Sequence, residues 1–150
     1  KLSFSFIISK NDYLVLSKEF LKRNIIPKNV IFYKNPENFY QLLGNADIAL
    51  VSGGITMFEV AAMGIPSISI PQHLHQIENI NSLKKKTITS SIGKGMQFTK
   101  IELVNSINNL INNYKKRKLM NKNGRRYIDG KGLKRVINIF EKIIKDAKKN

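Results

Sequence analysis

The chain has 150 residues, no cysteine, two histidines and a formal net charge of +16. That length buries one ordinary core and predicts a single compact domain. Disulfides and thiolate metal sites are excluded, His73 and His75 are too few for an all-histidine zinc site, and no apolar run approaches the roughly 20 residues that span a bilayer.

Leu2 to Ser9 alternates and then becomes wholly apolar, which predicts a strand. These residues mimic a signal peptide but lack an adequate apolar core and a small-residue cleavage site. Because the chain opens on Lys1 and enters this strand at once, a fragment of a longer protein is expected. Asn11 or Asp12 caps a predicted helix reaching about Arg23, with Leu14, Leu16, Phe20 and Leu21 on its apolar side. Pro27-Lys28-Asn29 reads as a turn and Val30 to Tyr33 as the next strand. A short helix follows Asn35-Pro36 and ends at Gly44-Asn45.

The densest stretch is Ala46 to Asn79. Ile48 to Val51 is a short continuous apolar run, as in a parallel strand buried on both faces. Ser52-Gly53-Gly54 breaks it, and a helix follows from Thr56 to Met63. Gly64 stands where a helix-ending glycine belongs, with Pro66 beyond it. Ser67 to Ile70 is another strand. A glycine pair between a buried strand and a helix leaves backbone N–H groups at a positive helix end, which suits an anion, most often phosphate.

Beyond Pro71, a helix is predicted from Gln76 to about Lys85 and a short edge strand within Thr87 to Ile92, followed by Gly93 and Gly95. Thr99 and Glu102 form a capping box that opens a helix to about Asn113. Lys115 to Arg126 reads as a basic helix with few apolar anchors, and Asp129-Gly130-Lys131-Gly132 as a turn. The closing helix carries Val136, Ile137, Phe140, Ile143, Ile144 and Ala147 at helical spacing and is expected to pack back on the domain. Successive strand–helix units predict an α/β fold, a doubly wound parallel sheet with flanking helices.

Charge is uneven: residues 1–75 hold 7 basic and 5 acidic side chains, residues 76–150 hold 19 and 5. Of the 26 basic residues 21 are Lys, beside many Ile and Asn, which is the signature of a compositional bias. Such a charge also draws anionic lipid or nucleic acid without specifying either. A non-catalytic basic module binding an anionic polymer or membrane is therefore the alternative function. It requires aromatic platforms for single strands, and only Tyr114 and Tyr127 are available in the basic helix region.

The stretch SGGITMFEVAAMGIPSISIPQ, followed by His75-Gln76 and Asn79, resembles the C-terminal half of GT-B glycosyltransferases of family 28. The likeness is nearest to the SpsG/PseG-like branch and more distant from MurG. Tyr127 to Gly132, then Arg135-Val136, resembles that branch's ending before its last helix. The resemblance covers Val30 to the C-terminal helix and implies a Rossmann-like half of a GT-B fold that binds a UDP-sugar. By it, Gly53, Gly54 and Thr56 hold the diphosphate, Glu59 accepts from the ribose hydroxyls, and His75, Gln76 and Asn79 lie against the donor. Backbone near Tyr33 meets uracil.

The same resemblance implies a UDP-sugar glycosyltransferase or hydrolase of cell-surface polysaccharide synthesis. It would be cytoplasmic, with peripheral contact to the inner face of an anionic membrane as a further expectation. The N-terminal domain of the same protein is the expected partner and nucleic acid is not. No obligatory metal or other cofactor is expected, and the fragment alone is expected to turn nothing over. Plainer readings stay open beside these. Thr56 and Glu59 also fit a capping box, Gly53 and Gly54 a tight turn, and Gln76 and Asn79 an exposed helix face. No catalytic set can be assembled from the residues present.

Overall fold

The protein's structure, a computed structural model, describes residues 2–9, 27–92 and 97–148. The helix expected from about residue 11 to 23, and Gly93 and Gly95, lie outside the described residues. The chain divides into two compact units, Lys1–Leu43 and Gly44–Asn150.

In the first unit, strands β1 (Phe4–Ile8) and β2 (Val30–Lys34) pair in parallel, Phe4 opposite Val30 and Ile7 opposite Tyr33. Phe6 and Phe32 share a register position and stack, their ring centroids 5.3 Å apart. Such cross-strand aromatic pairs help pin a sheet's register. Helix α1 (Phe39–Gly44) follows the Asn35-Pro36 turn, with Leu43 its buried residue.

The second unit is built on three parallel strands in the order β3 (Ala49–Ser52), β4 (Ser67–Ile70), β5 (Thr89–Ser91). Helix α2 (Ile55–Met63) connects β3 to β4, and α3 (Leu74–Lys85) connects β4 to β5. Each is the crossover that parallel neighbours require. Met57 and Ala61 of α2 meet Ile80 and Leu83 of α3, with Ile88, in one buried cluster. The second cluster joins Ile68 and Ile92 to Leu110 of α4 (Lys100–Asn112) and Met120 of α5 (Tyr114–Tyr127). The fold is therefore α/β with a parallel sheet between helical layers. Leu50 departs from the sequence expectation that β3 is buried on both faces. It is 47 % exposed, so this strand is not covered on both faces along its length.

Strand β4 alternates serine and isoleucine, and alternation sends the two sets to opposite faces. Ile68 enters the α4–α5 cluster, while Ser67 and Ser69 are fully buried. Their hydroxyls meet the Thr89 hydroxyl at 2.9 and 2.7 Å, so the buried oxygens satisfy one another. Mutual pairing removes the desolvation penalty that such groups otherwise carry.

The two crossover helices end in the same manner with different residues. In α2 the Gly64 N–H bonds to Ala61 O and the Ile65 N–H to Val60 O, with Gly64 left-handed at φ 75°. In α3 the Thr87 N–H bonds to Lys84 O and the Ile88 N–H to Leu83 O, with Thr87 at φ 51°. Both are Schellman motifs, but a β-branched residue in the left-handed region costs on the order of 1 kcal/mol. Thr87→Gly is expected to raise the melting temperature by about 2–4 °C, the shift about 1 kcal/mol gives a chain of this size. Calorimetry checks this, and an unchanged or lower melting temperature contradicts it.

Helix α5 is more than a basic surface. Gly124 lies against the Ala61 backbone of α2, where a Cβ would be far inside van der Waals contact. On either side, Asn121 Nδ2 donates to Gly64 O at 2.7 Å and Arg125 Nη2 to Met63 O at 3.1 Å. Arg117 Nη1 donates to Leu110 O at 2.7 Å and also to Ile111 O, closing the end of α4. Cationic donors at C-terminal carbonyls satisfy orphan acceptors and oppose the negative helix end.

The Asp129–Gly132 turn opens α6 (Gly132–Ala147). Arg135 pairs with both Asp129 oxygens at 2.8 and 3.0 Å, and the Lys131 N–H donates to Asp129 Oδ1. The Arg135 guanidinium and that N–H hold the Asp129 carboxyl down at about 2. The turn's contribution is present above the ordinary carboxylate pKa and is lost as pH falls through about 2. Arg135→Gln should return the Asp129 titration, followed by carboxyl-carbon NMR, towards the ordinary value; an unchanged midpoint contradicts the pairing.

One expectation is corrected here. Helix α6 buries none of its residues, and Val136, Ile137, Phe140, Ile143 and Ile144 are all exposed. Helical spacing shows that an apolar face exists; it carries no information on what covers it.

Candidate functional site

The carboxyl ends of β3 and β4 lie side by side, Ser52 opposite Ile70. Open parallel sheets bind ligands at this edge. The Ser52-Gly53-Gly54 turn leads from β3 into α2, whose N-cap is Gly54 at φ −90°, ψ −157°, with no side-chain cap. Thr56 is consequently the second residue of the helix. Thr56 therefore is not the cap residue that the Thr56–Glu59 capping box allowed by the sequence needs, and the N-cap itself carries no side-chain hydrogen bond; a helix start of this kind attracts anions. Glu59 is half-buried on the same helix, one turn along.

Strand β4 ends at Pro71, and the chain passes Gln72 and His73 into α3. Gln76 is only 7 % exposed, which rules out the plain exposed-face reading for it. Its Oε1 accepts from the Gly53 N–H at 3.2 Å and the Gln72 N–H at 2.9 Å. One side chain thus ties together the two turns at the sheet edge. Asn79, three residues on, is exposed. His75 is exposed and stacks on His73, centroids 5.6 Å apart and planes 11° from parallel.

Gly53, Gly54 and Gln76 are thus brought together, with Thr56 and Glu59 on the helix that Gly54 opens and His75 and Asn79 flanking Gln76 on α3. Tyr33 lies in the first unit, half-buried in β2. What the sequence missed is the clasp by Gln76. A buried-facing glutamine in the first turn after a strand–proline break was its only trace.

Two further features bear on the alternative function. Tyr127 carries the Lys86 ammonium 4.3 Å and the Arg126 guanidinium 5.6 Å from its ring centre, and Arg117 lies 5.8 Å from that of Tyr114. Both aromatic platforms thus already hold cations of their own chain. A separate cleft of about 530 Å³ runs along the edge strand β5, lined among others by Lys84, Thr87, Ser91, Asn105 and Lys116. It contains none of the predicted site residues. Among the described residues, no three His, Asp or Glu side chains converge as a metal site, and no helix is long and apolar enough to cross a membrane.

Residues 3–138 match the model of the glycosyltransferase family 28 C-terminal domain, and the chain belongs to that family. It is 29 % identical over 100 residues to the spore coat polysaccharide biosynthesis protein SpsG of Bacillus subtilis (strain 168), covering 67 % of this chain and 30 % of that protein. Among solved structures, MurG of Acinetobacter baumannii superposes with a TM-score of 0.71 at 16 % identity, covering 95 % of this chain and 42 % of MurG. The glycotransferase of kitacinnamycin gives 0.65 at 17 % identity, with 93 % and 42 % covered. At those identities the structural likeness establishes the fold, that of a Rossmann-like GT-B half. The chain spans less than half the length of each of these three proteins.

Proposed function

We propose that this chain is the nucleotide-sugar-binding domain of a family 28 glycosyltransferase acting in cell-surface polysaccharide synthesis, with a UDP-sugar as donor. The observation that carries the reading is the uncapped start of α2 at Gly54, set at the carboxyl edge of parallel strands. The diphosphate meets the N–H groups from Gly54 through Thr56, and Glu59 accepts from the ribose hydroxyls. His75, Asn79 and the donor end of Gln76 face the sugar. A charge at a helix N-terminus is worth about 0.3–1 kcal/mol when exposed and up to about 2 kcal/mol when partly buried, enough to orient a donor.

In the parent protein the reaction is displacement at the anomeric carbon, with the nucleoside diphosphate leaving. These N–H groups stabilise the charge that develops on it, a preorganised electrostatic contribution. The helix end supplies this neutralisation without a divalent ion or resident cofactor. The acceptor and the group that activates it belong to the N-terminal domain of the same protein, so this chain alone binds without turnover.

Calorimetric titration of UDP, with GDP and TDP as controls, tests the reading. Binding of UDP in preference to the other two supports it, and no heat with UDP at millimolar concentration refutes it. Glu59→Ala is expected to weaken UDP at least fivefold, with a smaller effect on the melting temperature. Lost stability with unchanged affinity contradicts the assignment of Glu59.

A further inference from the structure

Gly53 and Gly54 are adjacent, yet the fold makes opposite demands on them. A Cβ on Gly53 would lie 2.6 Å from Gln76 Cβ, 2.9 Å from Ile80 Cδ1 and 3.0 Å from the Gln76 carbonyl oxygen. No side chain fits there, and Gly53 is buried. A Cβ on Gly54 would meet nothing closer than Ser52 Oγ at 3.5 Å, and Gln76 Nε2 at 3.9 Å. Its extended backbone is open to any residue. Packing therefore accounts for Gly53 and leaves Gly54 without a structural reason to be glycine.

The same contrast extends to their N–H groups. The Gly53 N–H is held by Gln76 Oε1, which also takes the Gln72 N–H. An amide oxygen has two lone pairs, and two donors fill them. What remains of Gln76 for other partners is Nε2, on the Gly54 side of the turn.

We propose that Gln76 is a positioning residue of the site. It clasps the turn after β3 to the turn after β4 and takes the Gly53 N–H away from any ligand, so that an oxyanion is met first by the N–H of Gly54. This rests on the phosphate-site reading of the turn given above. Without the clasp two N–H groups lose their acceptor, a loss that drives a turn to rearrange. The direction in which the Gly54 N–H points is then no longer fixed. The bare edge of Gly54 is what lets phosphate oxygens approach the backbone closely.

Amide hydrogen exchange and ¹⁵N NMR on the 150-residue chain test the two halves of the proposal separately. In the ligand-free protein, Gln76→Met should cut the protection of the Gly53 and Gln72 amides at least tenfold, leaving that of Ile68 in β4 unchanged. Gln76→Glu keeps an acceptor oxygen and should restore both. Unchanged protection in Gln76→Met overturns the clasp. If Gln76→Met does not fold, Gln76→Glu decides the same point: lost protection of those two amides overturns the clasp, and retained protection supports it.

On titration with UDP, the Gly54, Ile55 and Thr56 amide resonances should move while Gly53 keeps its protection. Gln76→Met should then weaken UDP at least tenfold. A Gly53 amide that responds most strongly overturns the division between the two glycines. No response from any amide overturns the phosphate-site reading itself, and the exchange data report on the clasp independently of that result.

Discussion

Replacing Gly124 by alanine is expected to lower the melting temperature by about 10 °C. The added carbon would lie against the Ala61 carbonyl oxygen and 3.1 Å from its carbon, and both partners are helix backbone. Neither can swing aside as a side chain can, so α5 must lift away from α2. Overpacking typically costs about 1–3 kcal/mol. The displacement also stretches the Asn121 and Arg125 bonds to Gly64 O and Met63 O, each worth about 1 kcal/mol. Roughly 3 kcal/mol or more follows, at about 2–4 °C per kcal/mol for a chain of this size. Gly132→Ala is the control: nothing lies within 4 Å of its added carbon, and α6 should gain rather than lose stability. Thermal unfolding of the two variants checks the contrast, and equal melting temperatures refute it.

The second large effect separates folding from binding at the glycine pair. Gly53→Ala drives a methyl group into Gln76 and Ile80 and breaks the clasp, so a loss of about 2–4 kcal/mol is expected from overpacking plus the unpaired buried N–H of residue 53. Gly54→Asp acts the other way. An aspartate at an N-cap accepts from first-turn N–H groups and places its charge at the positive helix end, gaining on the order of 1 kcal/mol over an uncapped start. The same carboxylate occupies the place proposed for a phosphate. One residue apart, the first substitution should destabilise the protein and the second should stabilise it while emptying its site.

Much of this was legible in the sequence, because it is locally encoded. The Thr99–Glu102 capping box forms as read, with the Thr99 N–H donating to Glu102 at 2.7 Å and the Glu102 N–H to Thr99 Oγ1 at 3.2 Å. Gly64 adopts the left-handed turn that its place before Pro66 required. The strand–glycine–helix–strand order that carried the family resemblance is the order observed, and the family itself follows.

The features that were not legible depend on partners distant in sequence. The Gly53–Gln76 bond spans 23 residues, and the Arg125 and Asn121 bonds to the end of α2 span 62 and 57. From sequence alone α5 is a lysine-rich surface helix, since nothing local shows that its Asn and Arg side chains close another helix. The Thr56–Glu59 pair failed for a related reason. Its spacing fits a capping box with the helix starting at Met57, but the helix begins two residues earlier, at Ile55, and Gly54 takes the cap position. Helix α6 shows the limit of periodicity: its apolar face is real, yet none of its residues is buried.

Calorimetric titration of UDP into the native chain and into Gly54→Asp decides whether the diphosphate lies at the start of α2. The native chain is expected to bind UDP and Gly54→Asp to bind it at least tenfold more weakly, with the variant melting at or above the native temperature. Equal affinity in the two proteins would contradict it, because the diphosphate would then not lie at the start of α2.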